Sequence, residues 1–535
     1  MSTTLSETSA PEVLLARDPA TGEILGSVET TPPEHVEVVV QDVAKVQPLW
    51  ALLQLADRAR YMRRMAQAVI DDFDALQETL AREQGRPRAE VAALELLAAI
   101  DALIWIADEG ADALAPRRIP SSRAMSLAKR ARIAYEPYGV VGVIGAGSAP
   151  FAQPLGQIAG ALLAGNGVTF KPAARACLAG GWVGRVLARA GLPEGLVRIA
   201  HGGADVGVAL AQSSVDKVLF TGSPAVGRVV ARACVSREKE VTVELGGKDA
   251  MLVLADAHLR NAVAGALWAG CQVGAGQARG SIERVYVARE VYERFLTSLV
   301  AGARAMRVGD PSDPRTQVGP LASVRRAEHV EELVGEALAQ GAQLHCGGRV
   351  SPPGTTGAFY SPAILTGATG RMRVTREPID GPVLVLAAVD SVDEAIALAN
   401  DSDYSLGASV WTADRYQGAR IARELRAGMV WMNDHLPGPM LPRGPWGAAA
   451  GGGLGRTLGE AGLRACAQEK LITWDPPMTR GLWWGPYDQT TARAARAVAR
   501  MRSAREGDRG SAWREGAFPL ARAAARAFGR WLPRG

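Results

Sequence analysis

The 535-residue chain is 48% hydrophobic, holds five cysteines and carries a formal net charge of +5. That length and apolar share suffice for two or three buried cores. No stretch reaches the roughly 18 uncharged apolar residues of a membrane helix; the best, Ala92 to Ala107, is interrupted by Glu95 and Asp101. Cys177, Cys234, Cys271, Cys346 and Cys466 stand far apart with no Cys-x-x-Cys pair, which argues against a disulfide framework and against a metal site.

Residues 1 to 14 are polar and are expected to be disordered. The first of them lack the basic stretch and apolar core of a secretory signal, so a cytoplasmic location is expected. Arg17-Asp18-Pro19-Ala20-Thr21-Gly22 is a turn between two short strands. Helical periodicity follows from Pro33 to about Leu53, from Asp57 to Glu83 and from about Ala89 to Leu114. From Ile133 the pattern becomes short apolar runs separated by Gly-rich turns and helices: Gly139 to Ile144, Gly167 to Lys171, Gly195 to Ala200, Val215 to Thr221 and Glu240 to Leu245. Strands alternating with helices imply a parallel, doubly wound α/β sheet. The alternation restarts at Asp249 and runs through a helix near Arg325 to Gln340 to a strand ending at Asn433.

Two stretches in this α/β region carry the chemistry. Val241-Thr242-Val243-Glu244-Leu245-Gly246-Gly247-Lys248 puts a carboxylate at a strand end beside two glycines that allow close backbone approach. Some thirty residues on, Gly276-Gln277-Ala278-Arg279-Gly280-Ser281 is a small-residue turn entering an apolar strand. They resemble the Glu-Leu-Gly-Gly-Lys and Gly-Gln-x-Cys motifs of the NAD(P)-dependent aldehyde dehydrogenase superfamily. The cysteine position of the second motif holds Arg279.

The resemblance covers about residues 15 to 475. It implies two doubly wound α/β domains with a cleft between them and a small oligomerisation arm. The expected division is a dinucleotide-binding domain at 15–248 with the arm near 124–138, a catalytic-type domain at 249–445, a return and oligomerisation strand at 446–476, and a basic helical extension at 477–535. In the family a thiolate attacks the aldehyde carbon, donors hold the oxyanion, hydride passes to nicotinamide, and a glutamate-activated water hydrolyses the thioester. A guanidinium keeps its proton and has no lone pair for a carbonyl. Loss of a covalent nucleophile costs roughly 10⁶ in kcat, about 8 kcal/mol of barrier. Cys271 lies in the preceding helical pattern and reads as a buried small apolar residue rather than a substitute nucleophile.

The same resemblance assigns the other positions. Glu244 is the retained base, and Ser148 stands at the oxyanion asparagine, with Gly147 at a tryptophan that covers the phosphates. The run Gly145-Ala146-Gly147-Ser148-Ala149-Pro150 is a weak dinucleotide motif, since its third glycine is Pro150. On the cofactor side, for NAD or NADP, Lys171, Gly222, Ser223, Gly227 and Leu245 match, whereas the ribose-binding glutamate is Ala174. Without the resemblance, the Thr221-Gly222-Ser223-Pro224 helix start needs no ligand. Pro378 falls where a second glutamate holds the nicotinamide ribose, and Asp380 where a phenylalanine packs beside the ring. In the Pro445 to Arg456 loop the glycine frame remains, but the Lys and Ser positions are Ala450 and Gly452. A buried Arg279 needs a carboxylate, so pairing with Glu244, Asp380 or both is expected; unselected drift at position 279 is the alternative.

Residues 477 to 535 hold twelve arginines against four acids, so about +8 of the charge lies there and about −3 in the rest. A helix is expected from Pro519 with Leu520, Ala524, Ala527, Phe528 and Trp531 on one side and Arg522, Arg526 and Arg530 on another. It suits docking on its own or a neighbouring subunit, or an anionic membrane; nucleic acid is not expected. The expected function is therefore a catalytically impaired member of the superfamily acting as a scaffold, regulatory or partner subunit, as a homo-dimer or tetramer or with an active paralogue. The alternatives are an active NAD(P)-dependent oxidoreductase that works through Glu244, and a protein that binds membranes or partners through its tail.

Overall fold

The computed structural model describes residues 12–120, 129–435, 441–475, 477, 484 and 487–528. The sequence expectations for residues 1–11, for the arm at 124–128 and for Arg530 and Trp531 lie outside the described residues. The chain divides into two compact units: Met1–Ala113 with Pro137–Gln468, and Leu114–Glu136 with Glu469–Gly535. Among the described residues no helix is long and apolar enough to cross a membrane.

The larger unit opens with an antiparallel pair, β1 (Val13–Arg17) and β2 (Ile24–Glu29). The helical region that follows departs from its periodicity in two places. The run expected from Asp57 to Glu83 is two helices, Leu55–Asp71 and Phe73–Gln84, because Asp72 leaves helical geometry at φ −102° and ψ 16°. The third helix begins at Arg88 and widens into a π-turn over Ala92–Leu97 before continuing to Ala113. Such widened turns recur near functional sites, and this one carries the buried Glu95.

Two sheets follow. The first contains the parallel strands β5 (Val140–Ile144), β6 (Gly167–Lys171), β7 (Val197–Ile199), β8 (Lys217–Thr221) and β9 (Glu240–Glu244), in the order β9-β8-β5-β6-β7. Every residue of β5, β6 and β8 is buried, as a parallel sheet covered on both faces requires. The order reverses between β5 and β8, which opens a crevice at the carboxyl ends of these strands. The second sheet takes the order β12-β13-β14-β11-β10-β15-β16. Its members are β10 (Asp249–Val253), β11 (Ile282–Ala288), β12 (Gln343–Val350), β13 (Phe359–Thr366), β14 (Val383–Val389), β15 (Gly407–Trp411) and β16 (Met429–Met432). Only β12 runs antiparallel to its neighbour. The chain changes sheet between Glu244 and Asp249, then returns at β17 (Gly453–Leu454), which pairs antiparallel with β9 and places Gly453 opposite Glu244.

The smaller unit holds a three-stranded sheet of β3 (Arg117–Ile119), β4 (Arg130–Pro137) and β18 (Ala467–Trp474), in the order β18-β4-β3. Ion pairs Lys470–Glu136 and Lys129–Asp475 cross it, and the Arg130 guanidinium lies 5.6 Å from the Trp474 ring centre. Two helices, Gln489–Met501 and Glu506–Phe528, pack on each other. The second helix therefore starts at Glu506, and Pro519 lies inside it rather than at its start. The missing proline N–H is a local loss that packing along the first helix outweighs. Ala494, Ala497 and Ala512 are buried in this hairpin, and a Cβ on Gly516 would collide with Ala497. Trp513 and Phe518 remain exposed.

Because the helices meet through that glycine, Gly516→Leu in the full chain is expected to destabilise the hairpin by about 1–3 kcal/mol. Hydrogen exchange should show lost protection in Gln489–Met501 with β5, β8 and β10 unchanged; equal protection in both proteins would contradict this packing.

Candidate functional site

Glu244 ends β9, in register with Thr221 at the end of β8, so its carboxylate emerges at the crevice. Facing it is the turn that precedes β11. Gly274, Ala275 and Gly276 are all left-handed, at φ 57°, 55° and 73°, which reverses the chain between the Leu259–Leu267 helix with its π-turn and the strand. Glycine at 276 is required twice over, because a Cβ there would also collide with the Gly381 carbonyl. The turn is tied at both ends. Gly274 N–H donates to Glu90 at 2.7 Å, the Gln277 amide donates to Gly274 O at 2.8 Å, and the Gln277 side-chain oxygen accepts from Ala322 N–H at 2.9 Å. Farther along, His435 Nε2 donates to Gly280 O at 2.8 Å.

This frame brings Arg279 to Glu244, with Nη1 to Oε2 at 3.0 Å and side chains only 14% and 4% exposed. The ion pair expected from the sequence is present on the Glu244 side. Asp380 does not take part: it pairs with Arg326 at 2.7 Å on the half-exposed rim, and its own backbone is left-handed at φ 50°. That strained loop is held from below by Glu283, which accepts from Ile379 N–H at 3.0 Å and from Asp380 N–H at 3.4 Å while paired with the buried Lys248. Asp380 is thereby directed to Arg326 rather than into the cleft. Pro378 is half-buried in the same loop.

Three further groups meet the Glu244 carboxylate. Gln153 donates at 2.7 Å, Gln157 at 3.4 Å, and the Thr457 hydroxyl donates to Oε1. Both amides also reach Thr221 Oγ1, at 2.6 and 3.3 Å. With Arg279, the carboxylate has four donors. Burial pulls the Arg279 guanidinium below its usual pKa, opposed by Glu244 and by the more distant Glu95. A guanidinium starts so high that it stays charged at neutral pH. Arg279 Nε is buried and has no acceptor.

Around this pair lies a cavity of about 150 Å³ lined by Ser148, Leu94, Ala98, Trp105, Ile106, Trp268 and Leu463 among others. A buried chain of charges runs beside it. Arg86 bonds Glu90 at 2.7 Å and Glu95 at 3.1 Å, and Glu95 accepts Ala152 N–H at 2.8 Å. Glu90 also holds Gly274, so this chain joins the π-turn, the Ser148 loop and the Arg279 turn. Cys271 is fully buried, and burial drives its thiol far above the usual range, so it is no nucleophile.

On the other side of the crevice Lys171 is 7% exposed, and its ammonium has no hydrogen-bond acceptor among the described residues. Burial lowers its pKa, partly offset by Asp205. Ala174 opens a short 3₁₀ turn, Ala174–Ala176. Ser223 precedes the Pro224–Val235 helix without capping it through its side chain, and Gly222 N–H is used by Glu244 O at 3.1 Å. Gly227 and Leu245 pack against each other so closely that a Cβ at 227 would collide. Gly147 faces Arg175, whose side chain fills the room a Cβ would need. Arg175, Gln153, Gln157, Thr457, Arg86 and Glu90 were not singled out from the sequence. Only the Gln153/Gln157 pair left a trace, a four-residue spacing that puts both amides on one helix face.

A crevice at a strand-order reversal, faced by a second α/β domain and by a carboxylate opposite a glycine turn, is where proteins of the open α/β class take their ligands. The family model for the aldehyde dehydrogenase family matches residues 6–472. A betaine aldehyde dehydrogenase of Cereibacter sphaeroides (strain ATCC 17029 / ATH 2.4.9) is 34% identical over 87% of this chain and 94% of its own. One of Mesorhizobium japonicum is 34% identical over 85% and 92%. Among solved structures, an aldehyde dehydrogenase of Mycobacterium tuberculosis complexed with NAD⁺ superposes with a TM-score of 0.82 at 32% identity, covering 87% of this chain and 95% of that one. The NAD⁺ complex of a Bacillus cereus aldehyde dehydrogenase gives 0.82 at 29% identity, covering 87% and 93%. The chain belongs to the aldehyde dehydrogenase family.

Removing one member of a buried pair typically costs about 3–5 kcal/mol. Arg279→Met is therefore expected to lose about that much in denaturant melts, and Arg279→Met with Glu244→Gln to recover more than half. An additive double mutant would contradict the coupling. Burial also holds His435 at a pKa of about 4. A histidine depressed from its usual value near 6.5 costs nothing above pH 6.5, and stability falls as pH drops from 6.5 toward 4, by at most about 1.4 kcal/mol per pH unit. His435→Gln is expected to flatten the stability–pH curve in that window; an unchanged slope would contradict the assignment.

Proposed function

We propose that this family member does not turn over aldehydes and serves as a scaffold, regulatory or partner subunit of a family assembly. The observation that carries this reading is the Arg279–Glu244 ion pair. The position that the family gives to a thiolate holds a permanent cation, and the carboxylate that would activate water has its lone pairs engaged by Arg279, Gln153, Gln157 and Thr457. A base whose lone pairs are taken has no site for a water proton. Ser148, in place of the oxyanion amide, has a shorter reach, and loss of one such donor lowers rates by about 10² to 10³. A cationic aldehyde of the kind named for the relatives would also meet a guanidinium in the site.

The cofactor divides into two halves. Lys171 has an unused ammonium, and the Pro224–Val235 helix has an N-terminus free of side-chain capping; both suit an adenosine ribose and its phosphates. At the nicotinamide end the Pro378–Asp380 segment offers an aspartate already paired with Arg326 in place of a ribose-binding carboxylate and an aromatic ring. These residues do not fit a nicotinamide poised for hydride transfer.

Two measurements test this. In calorimetric titrations AMP and NAD⁺ are expected to bind within about threefold of each other; NAD⁺ binding more than tenfold tighter would return the nicotinamide half to the site. With NAD⁺ or NADP⁺ and a panel including betaine aldehyde and aliphatic aldehydes, no reduced cofactor is expected from the wild type. Arg279→Cys is expected to stay below about 1% of an ordinary family rate, given the altered donor at Ser148. Ordinary turnover by the wild type would end the proposal.

A further inference from the structure

The cavity around Arg279 is apolar over most of its wall, through Leu94, Ala98, Ala102, Trp105, Ile106 and Leu463. Its volume of about 150 Å³ corresponds to about ten water-sized positions, at roughly 10–15 Å³ each. The ionised side chains on the wall are Arg86, Glu95, Glu244, Arg279 and Arg456. Arg86 is matched by Glu95 and by Glu90 behind it, and Arg279 by Glu244. Arg456 has no carboxylate within ion-pair distance among the described residues, and its one hydrogen bond goes to the neighbouring Gly455 carbonyl at 2.9 Å. It sits one residue from Thr457, which bonds the Glu244 carboxylate. Arg456 is therefore the one guanidinium on this wall without a carboxylate at ion-pair distance among the described residues, and Arg279 has donors beyond the one it gives Glu244, with Nε lacking any acceptor.

An apolar chamber with a surplus guanidinium matches one kind of small molecule. We infer that the cavity is a binding site for an apolar monocarboxylate of about six to eight carbons, whose carboxylate answers the charge of Arg456 and the unused donors of Arg279 while its chain lies among Ala98, Trp105, Ile106 and Leu463. A neutral amide of the same length gains the wall contacts without the charge. A quaternary ammonium meets the wrong sign. The inference extends the non-catalytic reading by naming what the site holds instead of an aldehyde. The two fail separately: turnover would remove the first, and lack of carboxylate binding only the second.

Calorimetry on the full chain at low salt, with hexanoate, octanoate, octanamide and octyltrimethylammonium, tests it. Octanoate is expected to bind at least tenfold tighter than octanamide, with about threefold per methylene between hexanoate and octanoate, and the ammonium is expected not to saturate. Arg456→Gln, outside the buried ion pair, is expected to weaken octanoate about three- to tenfold and leave octanamide unchanged. Ala102→Trp, which fills the chamber, is expected to abolish both. Octanamide binding as tightly as octanoate would overturn the inference. So would octanoate affinity unaffected by Arg456→Gln, or retained by a folded Ala102→Trp protein, which would place the fatty anion on the arginine-rich extension instead.

Discussion

A full positive charge enclosed between two α/β domains must be neutralised, and the region around Arg279 is arranged to do so. The guanidinium has one carboxylate at 3.0 Å, and that carboxylate has four donors. Taking the two charges out of water costs several kcal/mol each, and good geometry with extra hydrogen bonds is what offsets it. Gln153, Gln157 and Thr457 supply those extra bonds. They belong to different segments, one helix of the first domain and the returning loop, so the pair ties those segments to the turn before β11.

The same logic extends outward. Arg86 with Glu90 and Glu95 forms a second cluster that reaches the Arg279 turn through Gly274 and the Ser148 loop through Ala152. Lys248 with Glu283 forms a third beneath the Asp380 loop. The second and third clusters use a charged side chain to satisfy backbone N–H groups at a chain reversal, where no regular ladder can. The cleft is thus built from ion pairs whose spare lone pairs hold loops. This explains how its outline persists around an altered centre.

The two-sheet fold, the change of sheet after Glu244 and the partner of Arg279 were legible in the sequence, because strands buried on both faces leave continuous apolar runs and because a buried cation has few carboxylates to choose from. Other features were not. Asp380 looked like a second partner, but its orientation is set by Glu283 gripping the backbone beneath it, a contact spanning almost a hundred residues that no local pattern announces. Arg175 over Gly147 depends on two loops meeting in space. The break at Asp72 and the helix through Pro519 show periodicity failing in opposite directions: an unbroken pattern can conceal a hinge, and a proline can be carried by tertiary packing.

Of the three left-handed residues before Arg279, Gly276 is the one that close contact fixes, pressed against the Gly381 carbonyl. Any side chain at 276 would clash there, whatever residue stands at 279. A likeness of fold therefore speaks for the path of the chain, and the side chain at one position along that path can differ without bending it.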